Sequence, residues 1–140
     1  MLSAYPACFI KEDAGYSVIF PDLNDLATCG ATLDEALTMA VDCLAGYLYW
    51  LQKDENAAPA ASPIEQVDLA GVMAELEVSS DEAFVNIVTV DVAEYAKTHF
   101  EKSVKKTLTI PAWLNKAALE QNINFSQVLQ DALKAKIQRS

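Results

Sequence analysis

With 140 residues and 52% apolar side chains, the chain can fill the core of one ordinary domain or two small ones, which excludes disorder along its whole length. Its formal net charge of −10 conceals a division: residues 1–101 carry 3 Lys/Arg against 18 Asp/Glu, whereas residues 102–140 carry 7 against 2. The acidic front is repelled by phosphate backbones and attracts a basic partner, while the basic tail is suited to approach nucleic acid.

The start, MLSAYPACFIKEDAG, lacks the basic opening and long apolar stretch of a secretion signal, so a cytoplasmic protein is expected. SAYPACFIKE alternates moderately, EDAG supplies turn residues, and YSVIF resumes an apolar strand that stops at Pro21. Together they predict a hairpin. PDLNDLATCG reads as a loop and a short strand near Ala27 to Cys29, ended by Gly30. Thr32 and Glu35 in TLDE have the spacing of a capping box. Leu33, Ala36, Leu37, Ala40, Val41, Leu44, Leu48 and Leu51 then recur at three- and four-residue steps, predicting a helix of about five turns that covers one side of the sheet. Asp34, Glu35 and Asp42 interrupt this apolar run, so it does not read as a membrane span. Tyr47, Tyr49 and Trp50 lie partly off the stripe, either as a partner contact or as an extended edge of the core.

KDENAAPAASP is small, polar and Pro-containing, a loop or linker. PIEQVDLAGVMAELEV reads as a short helix, with a strand as the other reading. AFVNIVTVDV, with Phe84, Ile87, Val88 and Val90, is a buried strand. It completes a small α+β sheet with the long helix on one face. VAEYAKTHFEKS is predicted to be a short helix leading into the tail.

In VKKTLTIPAWL, Leu108 and Ile110 alternate with Thr107 and Thr109, and Lys105 continues the polar row. Pro111 ends this strand and fits the first turn of a helix, in which Leu114, Ala117, Ala118 and Gln121 share a side. Asn122 suits a helix end, Asn124 can cap the next helix, and Phe125, Val128, Leu129, Ala132, Leu133 and Ile137 form a second stripe. Segments below about 40 residues rarely bury this much apolar surface alone, so a homodimer is expected. Two copies of the strand paired antiparallel make a ribbon that fits the DNA major groove. Lys105, Thr107 and Thr109 would face base edges, Lys105 and Lys106 would strengthen binding to any duplex, and the amides around Asn124 to Ser126 would meet a phosphate. Over residues 104–139 the chain resembles the ribbon-helix-helix family of DNA-binding dimers, on KKTLTIPAWL and NINFSQVLQDAL. It departs in having Asn122 where the family often has Gly, a residue that also tolerates the left-handed turn. A helical hairpin used only for dimerisation is the alternative.

The front domain resembles the HicB antitoxins on Tyr5 and Pro6, Gly15 and Tyr16, FPDL at Phe20 to Leu23, and GATLDEA at Gly30 to Ala36. The resemblance implies a partial ribonuclease H-like α+β fold over residues 1–101, followed by the dimeric ribbon-helix-helix over 102–140. It further implies a type II antitoxin that masks a HicA-like, mRNA-cleaving toxin and represses its own operon by binding operator DNA. The acidic front fits that partner, because an RNA-cleaving toxin needs cations to hold phosphates. Glu12, Asp13, Asp22 and Asp25 are the candidate toxin contacts. Whether dimers pair into higher oligomers is open. A stand-alone transcription regulator with an acidic sensing or oligomerisation domain is the competing reading.

Catalysis finds little support. Cys8, Cys29 and Cys43 are far apart without a Cys-x-x-Cys pair, and His99 is the one histidine, so no metal or cofactor site is expected. The carboxylates show no spacing that singles out a metal cage of the ribonuclease H type, and no nucleophile motif appears.

Overall fold

Alternation along the first strand sets up the architecture. In the computed structural model, which describes residues 1–101 and 103–138, β1 (Ser3–Glu12) pairs antiparallel with β2 (Gly15–Phe20), Cys8 facing Ile19 and Glu12 facing Gly15. Gly15 closes the turn at φ +137°, and a Cβ there would lie 2.4 Å from the Gly30 carbonyl oxygen, so no other residue fits. β3 (Leu26–Gly30) joins β2 and β4 (Ala83–Val90) joins β1, both antiparallel, giving the order β3-β2-β1-β4. The predicted α+β sheet is present, with β3 and β4 at its edges.

α1 (Leu33–Lys53) covers one face. Its cap is reciprocal, as predicted: the Glu35 amide donates to Thr32 Oγ1 at 3.1 Å, and the Glu35 carboxylate accepts from the Ala31 amide at 3.2 Å. That return bond falls one residue before the usual partner. Ala36, Ala40, Leu44, Ala45 and Leu48 are buried against Tyr5, Ala7, Phe9, Val18 and Phe20. Leu33 and Leu37, predicted in this stripe, instead lie on its flank and are each 38% exposed. The reason is close approach. A Cβ on Gly30 would sit 2.4 Å from the Ala36 nitrogen, so the helix meets the sheet through alanines and turns larger side chains aside. Phe9 and Phe84 stack on the same face with centroids 5.1 Å apart.

The second face is covered as well. Pro6, Cys8 and Ile10 alternate with the α1-facing residues and are fully buried. The stretch read as helix or strand becomes a 3-10 turn at Ile64–Gln66 and α2 (Leu69–Glu75), which meet β4 and, through α2, β1. α3 (Val92–His99) packs on α1, and the Tyr95 hydroxyl donates to Asp42 at 2.9 Å. Between α1 and the 3-10 turn, the predicted linker is fastened down. Tyr5 Oη donates to the Pro59 carbonyl at 2.5 Å, while the Ser62 amide and hydroxyl both donate to the Asp22 carboxylate at 2.7 Å.

The chain divides into two compact units, Met1–Lys102 and Ser103–Ser140. Lys102, Arg139 and Ser140, counted in the basic tail from sequence, lie outside the described residues. In the second unit α4 (Ala112–Glu120) and α5 (Phe125–Gln138) are joined through Asn122, left-handed at φ 53° as anticipated. Asn124 caps α5, its Oδ1 accepting from the Gln127 amide at 3.0 Å. Pro111 stands one place before the helix rather than in its first turn. Within this single chain residues 103–111 form no strand; the strand expected across Val104–Ile110 is one that two copies paired antiparallel would form. A strand exists only as part of a ladder, and no described segment pairs with this one. Leu108, Phe125, Val128 and Leu133 stand 42–62% exposed.

The Asp22–Ser62 clamp has a measurable role. Asp22→Ala is expected to lower stability by about 1–3 kcal/mol, in line with losing hydrogen bonds to a charged group, and to speed proteolysis within residues 55–63. Asp25→Asn, which keeps a side chain suited to the left-handed backbone at that position, should change neither. Urea titration and limited proteolysis of the three proteins provide the check.

Candidate functional site

The hairpin separates the four carboxylates predicted to meet a partner. Glu12 and Asp13 sit at its turn, whereas the register places Asp22 and Asp25 beyond the far end of β2, roughly 20 Å away along the strands. No single contact patch unites all four.

Their surroundings also differ. Glu12 accepts a hydrogen bond from the Ser17 hydroxyl at 2.5 Å. Beside it, Lys11 bridges to Glu82 at 2.9 Å, which raises the lysine pKa through that hydrogen bond and the added negative charge. Lys11, Glu12, Asp13, Ser80, Asp81 and Glu82 line an open acidic groove. Asp22 spends its carboxylate on Ser62 and serves the fold. Asp25 is placed differently: Asn24 and Asp25 are both left-handed, at φ 56° and 55°, where the chain turns from a 3-10 turn at Pro21–Leu23 into edge strand β3. Burial, and secondarily the Asp25 charge, push the Cys8 thiol up.

The front unit's described cations are all engaged. Lys11 pairs with Glu82, Lys97 with Glu94 at 3.0 Å, and Lys53 stands 5.2 Å from the Tyr49 ring centre. Most of its carboxylates thus face solvent without a cation, a surface suited to a basic partner.

The three aromatic residues of α1 divide between the two readings. Tyr47 and Tyr49 are partly buried against the core, and Tyr49 packs 5.2 Å from Phe100. Trp50 points outward at 62% exposure. It borders a shallow, mostly apolar groove with Leu26, Cys43, Gly46, Tyr47 and Leu51, and Asp54 at the rim. Sequence reasoning singled out Trp50 and Tyr47 but missed Cys43, Gly46 and Leu26. The signal was a second stripe at 43, 46, 47, 50 and 54, in helical steps beside the first.

Among the described residues, no three His, Cys, Asp or Glu side chains gather as a metal cage. His99 stacks on Tyr95 at 3.8 Å, with Nδ1 3.0 Å from the Tyr95 carbonyl oxygen. Cys8 and Cys43 have raised thiol pKa values, chiefly from burial, the opposite of an activated nucleophile. No described helix is long and apolar enough to cross a membrane.

In the tail, Lys105, Lys106, Thr107 and Thr109 are exposed on the irregular segment before α4. Asn124 and Ser126 stand at the start of α5, where Ser126 Oγ accepts from Gln130 at 3.1 Å. The first backbone amides of that helix point outward from its axis end, as in any helix.

The sequence profile of the HicB-like antitoxins of bacterial toxin-antitoxin systems matches residues 5–132. A chain of a toxin-antitoxin complex from Streptococcus pneumoniae is 37% identical, with a TM-score of 0.64 over 97% of this chain and 99% of that one. A 14.9 kDa protein from the rep-hol intergenic region of Haemophilus phage HP1 is 31% identical over 111 residues, 79% of this chain and 74% of the phage protein. Antitoxin HicB 2 of Photorhabdus laumondii is 36% identical over 58 residues, 41% of this chain and 42% of its own length. The fold, the capped α1 and the extent of these matches lead to one conclusion: the chain belongs to the HicB-like antitoxin family of bacterial toxin-antitoxin systems.

Proposed function

We propose that this antitoxin works through two units with opposite charge. Unit one, residues 1–101, neutralises a HicA-like, mRNA-cleaving toxin by covering its cationic RNA-binding surface. Unit two, residues 102–140, dimerises as a ribbon-helix-helix and represses the operon that encodes both proteins. The observation that carries this reading is the coincidence of the charge division with the structural one: an acidic unit whose described lysines are all engaged, and a basic unit whose apolar residues remain on its surface.

The chemistry follows from those parts. A nuclease that holds a phosphate chain must present cations, and an acidic surface competes for them without needing any catalytic group of its own. In the tail, Leu108 and Ile110 share one parity while Lys105, Thr107 and Thr109 share the other. Pairing two copies of this segment supplies the missing ladder and buries the leucine and isoleucine rows, leaving the hydroxyls and ammonium groups on the outer face. That face can donate and accept at base edges in a major groove. Lys106 meets backbone phosphate, and the α5 amides near Asn124 and Ser126 supply a second, uncharged phosphate contact.

Two sets of variants test the tail. Lys105→Ala and Lys106→Ala are each expected to weaken binding to all duplexes and lower the salt slope of log K by about one. Thr107→Ala with Thr109→Ala should mainly narrow the gap between operator and scrambled duplex, by about tenfold or more. Titrations at several salt concentrations check both, and unchanged binding by all three variants would exclude the ribbon. Leu108→Lys should convert a dimer to a monomer by light scattering and abolish operator binding while leaving toxin binding intact; a dimer that survives it overturns the strand-pairing arrangement.

A further inference from the structure

We infer that the outer edge of β3 and the groove beside Trp50 form the docking surface for the toxin, which adds an extended segment to the β3 edge and seats an apolar side chain in the groove. The inference rests on the antitoxin reading and assigns that reading a location.

Three observations converge at this place. First, β3 is an edge strand, paired only with β2 among the described residues. Its outer side offers backbone groups to an added strand, a common mode of peptide recognition. Second, the groove lies along that edge. Leu26 begins β3 and faces the second half of α1, where Cys43, Gly46, Tyr47, Trp50 and Leu51 complete the lining; the Cys43 thiol approaches the Ala27 carbonyl at 3.8 Å. A tryptophan 62% exposed beside such a groove is the type of anchor that dominates interfaces.

Third, the charges around the groove select the occupant. Asp54 lines it and Asp25 immediately precedes β3. Lys53, the nearest cation in sequence, is held over the Tyr49 ring. A second copy of this acidic unit would bring like charges together at the same edge, at a cost in binding. A basic protein gains from them. Asp25 thereby keeps the partner-facing role expected from sequence, whereas Asp22 belongs to the clamp with Ser62.

The opposite edge offers less. β4 exposes Ile87, but the open groove near its start is mainly polar, lined by Lys11, Glu12, Asp13 and Glu82 beside Val78, with no aromatic side chain. It provides charge without an anchor.

The test uses the full-length chain and, as probe, the HicA-like basic nuclease proposed as its partner, made inactive. Trp50→Ala is expected to weaken that complex by at least tenfold, with operator binding and circular dichroism unchanged. Asp54→Lys, which places a favourable cation at the end of α1, should slow association and flatten its salt dependence. Hydrogen exchange should show new protection at Leu26–Gly30 on complex formation and none at Ala83–Val90. Wild-type binding that is untouched by Trp50→Ala, or protection confined to β4, overturns the docking surface while leaving the antitoxin reading in place. Failure of the wild-type chain to bind the nuclease removes both. A smaller mass for the free Trp50→Ala protein would show that a second copy occupies the groove, and would also overturn the assignment.

Discussion

The front unit depends on the contact between Gly30 and Ala36. Because the end of β3 runs directly into α1 through the capped turn at Thr32, the helix must pass within van der Waals contact of the strand it has just left. Only a glycine on the strand and alanines on the helix allow this. The short separation lets Leu44 and Leu48 reach the aromatic row of Tyr5, Phe9 and Phe20, where each fully buried leucine contributes about 1.5–3 kcal/mol. It also rotates α1 so that Leu33 and Leu37 fall to one flank, and Trp50 to solvent. The apolar groove is therefore a product of the same packing that closes the core.

Much of this was legible before any coordinates. The hairpin, the capping box, the amphipathic α1, the fourth strand and the two tail helices each have a local cause: turn residues, a cap, a period of two or of three to four. What could not be read depends on contacts distant in sequence. The polar stretch near Pro59 looks like a linker because its composition is that of one. It is held by Tyr5 and Asp22, 54 and 40 residues away from their partners, and no local pattern encodes such a bond. For the same reason Asp22 read as a loop carboxylate available to a toxin, whereas it binds Ser62. Leu26 and Cys43 join one groove only because β3 and α1 pack together.

The tail exposes a different limit. Its alternation at 104–110 satisfies every local rule for a strand, yet the described chain has no ladder there. Sequence periodicity records what a segment can pair with, whereas secondary structure records what is beside it. The apolar positions Leu108, Phe125, Val128 and Leu133 give the same indication: a unit of this size leaves them on its surface, and their burial requires another surface.

On the proposed reading the two units use different physics for their two partners, and this explains why one chain can hold both. Attraction between the acidic unit and a cationic nuclease acts over a Debye length, about 8 Å at physiological salt, and gains its specificity from an apolar anchor at close range. Self-pairing of the tail is short-ranged and driven by burial of the leucine and isoleucine rows, with charge reserved for the phosphate backbone. A tail as acidic as the front would be repelled by the duplex. If the front were as basic as the tail, it would bind RNA rather than the protein that cuts it. Placing the sign change within a few residues of the unit boundary keeps each field from cancelling the other, so a net charge of −10 is compatible with a DNA-binding end.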